Sequence, residues 1–171
     1  SEDSRLAADF DITDKLVEGE NTLALEVFRW CDGTYLEDQD MWRMSGISRS
    51  VEIIRKPKSR LEDLHIEASA SGELNLQMFF TSGVGEVEAK LCAPRGWRRW
   101  RWNMPVSGTS LRLERKIRSP KLWSAETPNL YDLEITVRDT EGNITQTAKT
   151  EIGFRDVEVK GCQLFVNGQP V

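Results

Sequence analysis

The chain has 171 residues, of which 39% are hydrophobic and 30% are charged, a composition typical of a folded globular protein and not of a disordered one. Its formal net charge of −5 lacks the basic excess of general nucleic-acid binders, so no nucleic-acid partner is expected. No apolar run approaches the roughly 20 residues of a membrane helix, so no membrane partner is expected either.

Three cysteines, Cys31, Cys92 and Cys162, are widely spaced, and His65 is the one histidine. The odd count and the spacing argue against a disulfide framework and against a zinc site, so the cysteines are interpreted as packing thiols. A Ser-His-Asp or Cys-His catalytic set needs a histidine beside a nucleophile. His65 falls on the polar side of a predicted strand, so a solvated surface histidine is expected.

The N-terminal third predicts two strands. Residues 22–30 alternate, with Leu23, Leu25 and Val27 on one side, which is typical of a strand with one buried face. Apolar residues from Ile47 to Ile54 mark a second strand that ends before Pro57.

An acidic cluster lies between these strands and precedes two methionines and a tryptophan. The cluster consists of Glu37, Asp38 and Asp40, followed by Met41, Trp42 and Met44. A carboxylate near apolar surface loses hydration, so the segment either binds a ligand or is a polar turn with its acids in water. Asp38 and Asp40 share one short loop, which does not suit a glycosidase pair that faces across a substrate. A hard cation or a sugar hydroxyl is the better ligand for them.

Residues 55–60 are rich in basic residues and contain Pro57, which indicates a linker. Beyond it the apolar residues alternate in about seven short strands within about 100 residues, a pattern that predicts an immunoglobulin-like β-sandwich. The residues predicted on the inner strand faces are Leu64, Ile66, Ala68, Leu74, Leu76, Met78, Val87, Ala89, Leu91, Leu111, Leu113, Leu133, Ile135 and Val137.

The segment Pro94–Pro105, PRGWRRWRWNMP, interleaves Trp97, Trp100 and Trp102 with four arginines. On a strand, alternation would bury Trp100 and Trp102 and leave the arginines between them in water. The alternative is an exposed interface in which indoles and guanidinium groups bind a partner. Both interpretations stay open, and the alternation favours the first.

Two hairpins are predicted near the C-terminus. Residues 139–143 form a turn signal that leads into a strand from Ile144 to Ala148. Leu164–Val166 followed by Asn167 and Gly168 indicates a strand entering a tight turn, whose second strand is expected to be cut off.

Five segments resemble, in order, parts of glycoside hydrolase family 2 β-galactosidases. They are FDITDKLVEGENTLALEV, EDQDMWRMSGI, LWSAETPNLYDLEI, IGFRDVEV and LFVNGQPV. The resemblance implies an all-β chain, an immunoglobulin-like β-sandwich preceded by the C-terminal strands of a jelly-roll domain. Residues 1–58 would end the sugar-binding jelly roll, residues 59–159 would form the sandwich, and residues 160–171 would begin the junction into a (β/α)8 catalytic barrel.

The resemblance also implies a function for the parent protein, which would hydrolyse terminal non-reducing β-D-galactose residues with retention. The chain itself would be a non-catalytic supporting fragment, inactive alone because the barrel is missing. Its partners would be the rest of the parent chain, a β-galactoside substrate of the parent and further copies in a homo-oligomer. A bacterial cytoplasm or periplasm fits the family, and the resemblance does not choose between them.

Asp40 matches the family acid that contacts the galactosyl group and a bound sodium ion. The other sodium ligands would lie in the barrel, and magnesium is possible in the parent but not in this fragment. Well-known members donate a long sandwich loop to a neighbouring subunit's site. The corresponding residues 93–108 are short and rich in tryptophan here, a departure that weakens the expectation of a donated loop and of the usual tetramer.

Two alternatives remain. The chain could be a stand-alone carbohydrate-binding or protein-interaction module that uses Trp97, Trp100 and Trp102. It could also be a fragment of a sister family 2 enzyme, a β-glucuronidase or β-mannosidase, although the segment DQDMWRMSGI favours the galactosidase. The continuation of the gene beyond Val171 would separate these hypotheses.

Overall fold

The computed structural model describes residues 7–30, 32–35, 46–47 and 49–171. The chain divides into two compact units, Ser1–Ile54 and Arg55–Val171. None of the helices in the described ranges is long and apolar enough to cross a membrane.

The N-terminal unit contains two short 3-10 helices, Thr13–Lys15 and Asp32–Tyr35. The first is opened by the Asp11 side chain, whose Oδ1 accepts a hydrogen bond of 2.9 Å from the Thr13 N–H. A turn surrounds Gly19, and the Asn21 side chain closes it by hydrogen bonding to both backbone groups of Val17. The local turn chemistry of this unit therefore follows its sequence.

The strands predicted at residues 22–30 and 47–54 are wrong. The described residues of both segments belong to no strand, and apolar side chains such as Leu25 and Ile53 are exposed. A β-strand exists only through ladder hydrogen bonds to a neighbour, and the described part of this unit contains no paired strand. An alternating segment without a partner strand or an opposing sheet has no surface on which to bury its apolar side.

The second unit contains ten strands, of which seven form a two-sheet sandwich. Those seven are β1 (Leu61–Ala68), β2 (Glu73–Phe80), β3 (Val84–Cys92), β4 (Arg99–Pro105), β5 (Ser110–Lys116), β6 (Tyr131–Asp139) and β7 (Ile144–Ile152). One sheet has the order β1-β2-β5 and the other β4-β3-β6-β7, with every neighbouring pair antiparallel. The predicted sandwich is confirmed, and β4 lies in the same sheet as β3, β6 and β7.

The core lies between the two sheets, and the predicted inner residues face it. Leu76, Val87 and Val137 are fully buried, while His65 is exposed on the outer side of β1, as expected. Alternation produces this arrangement because successive side chains point to opposite faces of a strand. The aromatic centre is an edge-on pair of rings, Tyr131 and Phe154, whose centroids are 4.9 Å apart.

Two connections fix the ends of the sandwich. The turn of residues 106–109 carries the chain from β4 in one sheet to β5 in the other, and the Val106 N–H donates to the Gly85 carbonyl at 2.9 Å. At the opposite approach to β6, the Tyr131 hydroxyl accepts a 2.8 Å hydrogen bond from the Lys121 N–H. This resembles the tyrosine corner of immunoglobulin-like domains, which ties a strand start to upstream backbone.

The three remaining strands form a separate small sheet. They are β8 (Val157–Lys160), β9 (Gln163–Val166) and β10 (Gln169–Pro170), in the order β10-β9-β8. The expectation that the second strand of this hairpin is cut off is wrong, because β10 pairs with β9 across the turn. Asn167 and Gly168 both have positive φ, of 51° and 77°, as a tight Asn-Gly hairpin turn requires.

The cysteines fit the packing interpretation only in part. Cys92 is half-buried in β3, whereas Cys162 is exposed in the turn between β8 and β9, so Cys162 is not a packing thiol. A two-residue turn has no interior in which a thiol could be buried. Cys31 lies outside the described residues.

Candidate functional site

The predicted substrate and sodium ligand, Asp40, lies outside the described residues. The same holds for the rest of the cluster, namely Glu37, Asp38, Met41, Trp42 and Met44. Among the residues that are described, no group of three or more histidine, cysteine or acidic side chains could hold a metal ion. The sodium and magnesium sites therefore stay predictions for the parent protein.

The second predicted site, around the three tryptophans, is described completely. Trp100 and Trp102 are half-buried on the inner side of β4 and pack against the core, while Arg99 and Arg101 on the outer side are exposed. The Trp100 ring lies 6.4 Å from the Tyr131 ring. Trp97 precedes the strand and keeps 48% of its surface exposed. The period of two thus places Trp100 and Trp102 at the edge of the core, whereas Trp97, which lies outside the strand, is at the surface.

Cations cover the indoles of this edge. The Arg98 guanidinium carbon lies 5.2 Å from the centre of the Trp97 ring and 5.0 Å from that of Trp100. The Lys121 ammonium is 5.5 Å from the Trp97 ring, and the Arg115 guanidinium carbon is 6.0 Å from the Trp102 ring. Distances of up to about 6 Å are within the range of cation–π attraction. We call these six residues, Trp97, Arg98, Trp100, Trp102, Arg115 and Lys121, the basic–aromatic surface.

Sequence reasoning found the tryptophans and Arg98 but missed Arg115 and Lys121. Arg115 continues the inner face of β5 after Leu111 and Leu113, and this phase brings its side chain to Trp102 across the gap between the sheets. The strand period places Arg115 on the inner face of β5, but it does not show that this strand packs beside Trp102, and Lys121 lies beyond the strand. Arg98 also reaches this segment, because its Nη1 donates to the Arg118 carbonyl at 3.1 Å.

On the outer face of the four-stranded sheet, one carboxylate neutralises two cations. Glu134, on the outer face of β6, lies between Lys149 Nζ at 3.0 Å and Lys90 Nζ at 3.5 Å. The hydrogen bond from Lys149 lowers the pKa of Glu134 against the opposing effect of desolvation, and the charges of both lysines lower it further. Lys90 and Lys149 are therefore neutralised within the domain, in contrast to the cations of the basic–aromatic surface.

A second cluster joins the small sheet to the sandwich. The Asn167 side-chain amide donates to the Trp123 carbonyl and accepts from the Asp156 N–H, both at 3.0 Å. The Arg155 guanidinium carbon lies 4.5 Å from the Trp123 ring. A Cβ on Gly153 would approach Trp123 to 2.8 Å, so glycine is required for this contact. These interactions fix how the chain leaves the sandwich.

Two family models match the chain side by side. The one described as "Glycosyl hydrolases family 2, sugar binding domain" matches residues 1–57, and the one described as "Glycosyl hydrolases family 2" matches residues 59–155. The chain belongs to glycosyl hydrolase family 2. The resemblance drawn from its motifs is confirmed, and so is its all-β fold class.

Curated relatives within this family are named beta-galactosidase. The chain is 42% identical to the one from Erwinia tasmaniensis over 99% of its own length, and 41% identical to one from Vibrio vulnificus over 100%. The relative from Leuconostoc mesenteroides is 40% identical, again over 100% of the chain. In each case the chain spans 18% of the length of the relative. The described residues include no (β/α)8 barrel.

Solved family 2 structures share the fold of the chain. Beta-glucuronidase 3 from Bacteroides uniformis superimposes with a TM-score of 0.64 over 74% of this chain and 16% of that one, at 21% identity. The Parabacteroides merdae beta-glucuronidase gives 0.58 over 67% and 16%, at 24% identity. At these identities the likeness concerns architecture alone.

Proposed function

We propose that this chain is the supporting, non-catalytic part of a family 2 β-galactosidase, and that the whole protein hydrolyses terminal β-D-galactose residues with retention. The observation that carries the proposal is the 42% identity to a protein named beta-galactosidase over 99% of the chain. The likeness to β-glucuronidase structures, at 24% identity or less, does not weigh against it because it concerns the fold alone.

The fragment alone is expected to be inactive. Retaining glycosidases hold two carboxyl groups about 5–5.5 Å apart on elements that face each other across the substrate. The family resemblance assigns both groups to the barrel. The sandwich and the acidic N-terminal segment would therefore position the barrel and complete its substrate site, without performing the bond cleavage.

The test of this function is expression of the full-length gene, with whatever it encodes on both sides of the present sequence. We expect the longer protein to cleave a chromogenic β-galactoside at least tenfold faster than the matching β-glucuronide and β-mannoside. The 171-residue chain, purified from a host that lacks β-galactosidase, serves as the control and should release no chromophore. Preferential cleavage of the glucuronide or the mannoside would refute the galactosidase assignment.

Asp40 is proposed to contact the galactosyl group and a sodium ion in the parent enzyme. A carboxylate ligand to substrate and cation acts on catalysis, so Asp40→Asn in the parent should lower kcat/KM by about 100-fold or more. The thermal unfolding midpoint should change little, because the side chain serves a ligand and not the core. Asp9→Asn, in the same acidic unit, is the matched control and should retain full activity. Equal sodium dependence in the wild type and in Asp40→Asn would exclude the role.

One observation favours a second candidate function, a carbohydrate-binding or interaction module that acts without a barrel. The basic–aromatic surface leaves Trp97 half-exposed beside two cations, which suits a binding surface. The continuation of the gene separates the two functions. A stop codon directly after the present sequence would favour the module, and a barrel with two acid motifs would exclude it as the principal function.

A further inference from the structure

We propose that the basic–aromatic surface is an accessory binding site for anionic galactans, polysaccharides of the galactose series that carry sulfate or uronate groups. The site would hold a charged polymer on the sandwich while the catalytic barrel acts on its end. This inference names a substrate class for the proposed galactosidase and therefore rests on that function.

The basic–aromatic surface and its surroundings carry positive charge that no carboxylate of the described residues neutralises. Seven cations of the second unit form ion pairs with carboxylates, namely Arg60, Lys90, Arg101, Arg112, Lys116, Lys149 and Lys160. In or beside the basic–aromatic surface, six cations have no carboxylate partner within the described part of the chain: Arg95, Arg98, Arg99, Arg115, Arg118 and Lys121. Cations without a carboxylate partner that gather along one edge of a domain attract an anion from outside.

Several of these cations lie against indoles. Guanidinium groups bind carboxylate and sulfate oxygens through two parallel N–H donors, and an ammonium binds them as a point charge. An indole offers a flat apolar face for the C–H side of a pyranose ring. Trp97 keeps about half of its surface exposed, with Arg98 and Lys121 against it. A ligand that has both sugar rings and negative groups matches both chemistries.

The contacts between cations and indoles also follow one another along β4. Trp100 and Trp102 lie two residues apart on β4, which separates them by about 6.5–7 Å along the strand. Arg98 covers the first of these indoles and Arg115 covers the second. The cations therefore follow the direction of the strand, an arrangement suited to a chain of repeated anionic units and not to one small anion.

Arg95 supports the same conclusion. It has a φ of 61° in the turn before Trp97, a left-handed conformation that costs a side chain more than glycine. Glycine or asparagine would be the cheaper residue there, yet the position carries an exposed arginine. A charged side chain at a strained position adjacent to the surface is consistent with a contact made by its guanidinium group.

Charged side chains on edge strands can also serve only to prevent pairing with another chain, since β4 and β5 are both edge strands. That role needs charge but no particular position. The two explanations are separated by variants that remove equal charge at different places on the domain.

The test is affinity electrophoresis of the 171-residue chain through gels containing a sulfated galactan, polygalacturonate, neutral galactan or polyglutamate. The site variant combines Arg115→Gln, Arg118→Gln and Lys121→Gln. The control variant combines Arg112→Gln, Lys149→Gln and Lys160→Gln, three ion-paired cations, and loses the same charge. We expect retardation by the sulfated galactan or by polygalacturonate, weakened about tenfold or more in the site variant and less than about twofold in the control.

Several outcomes would overturn the inference. The first is an equal loss of binding in the site variant and the control variant. The second is that the chain binds neutral galactan as tightly as the anionic galactans, or binds neither anionic galactan. The third is that polyglutamate binds as tightly as the polysaccharides, which would indicate an acidic protein partner. If the site variant does not fold, Lys121→Gln alone, an exposed side chain, takes its place. Binding without β-galactosidase activity in the longer protein would refute the proposed function, and that activity without binding would refute this inference alone.

Discussion

The two units of the chain differ in how far their apolar side chains are buried. Leu76 of β2 has no exposed surface, whereas Leu25 of the N-terminal unit is 53% exposed, although both lie in alternating segments. Leu76 faces a second sheet, and its strand has hydrogen-bonded neighbours on both sides. Leu25 has no paired strand next to it in the described residues. Alternation therefore provides a face that can be buried, and a partner sheet decides whether it is buried.

The largest expected effect comes from removing the N-terminal unit. Exposed apolar groups in extended, unpaired segments tend to associate with other chains. We therefore expect the 171-residue chain to self-associate and a chain starting at Ser59 to be monomeric by light scattering. The shorter chain should keep a cooperative unfolding transition. If both chains are monomeric, and if the amides of the two units are equally protected against hydrogen exchange, the apolar side chains of the N-terminal unit are buried in solution and the contrast between the units is wrong.

A matched pair of substitutions measures the same difference in free energy. Leu76→Ala leaves a cavity in the core and should lower the free energy of unfolding by about 2–5 kcal/mol. Leu25→Ala removes an exposed side chain and should change it by no more than about 0.5 kcal/mol. Urea denaturation of both variants is the measurement. A similar loss in both would mean that Leu25 is buried in solution.

A second matched pair compares the rigidity of a sandwich turn with that of a turn in the small sheet. Gly72, between β1 and β2, has a φ of 90°, and a Cβ there would lie 2.1 Å from the Ile117 carbonyl oxygen. Backbone cannot move aside easily, so Gly72→Ala should cost about 2–4 kcal/mol. Gly161 also has positive φ but faces open space, and Gly161→Ala should cost about 1–2 kcal/mol. Equal losses would show that the β1–β2 turn yields as readily as the exposed one.

The smallest effect concerns pH. Hydrogen bonds from Asn143, chiefly from its backbone N–H, lower the pKa of Asp139 below its ordinary value. A carboxyl whose folded-state pKa is lowered contributes stability above about pH 4, which is lost as the pH falls through the lowered pKa. Asp139→Asn should therefore reduce the fall in the urea midpoint between pH 5 and pH 3. Glu126→Gln, in an exposed loop, is the control and should leave the fall in the urea midpoint unchanged. If the urea midpoint of Asp139→Asn falls as much as that of the wild type, Asp139 does not contribute to the pH dependence of stability.

The sequence sufficed for the sandwich because its information is local. The alternation of β2, β3 and β6 identifies each inner face without reference to any other segment. The error at residues 22–30 has a non-local cause, since a strand also needs a neighbour and the pattern does not say whether one is present. The same alternation nevertheless marked Trp100 and Trp102 as inner residues correctly.

The sites illustrate the same limit. Arg115 and Lys121 meet tryptophans that lie more than ten residues earlier, and Asn167 reaches a carbonyl 44 residues away. No spacing rule connects such positions, because the folding of the sheets brings them together. Motif matching found Asp40 through the family resemblance, and its role stays a prediction because the residue lies outside those described.

The four-residue turn between β4 and β5 is a place where the chain can change in length. Its hydrogen bonds lie at its two ends, where the Val106 N–H meets the Gly85 carbonyl and the Thr109 carbonyl meets the Phe80 N–H. Between them Gly108 faces open space. Lengthening a loop whose ends are already fixed costs only about 0.6 kcal/mol for each doubling. An insertion or deletion in this turn can therefore leave both sheets intact. The contacts that the turn makes outside the domain can change in evolution without a large change in the stability of the sandwich.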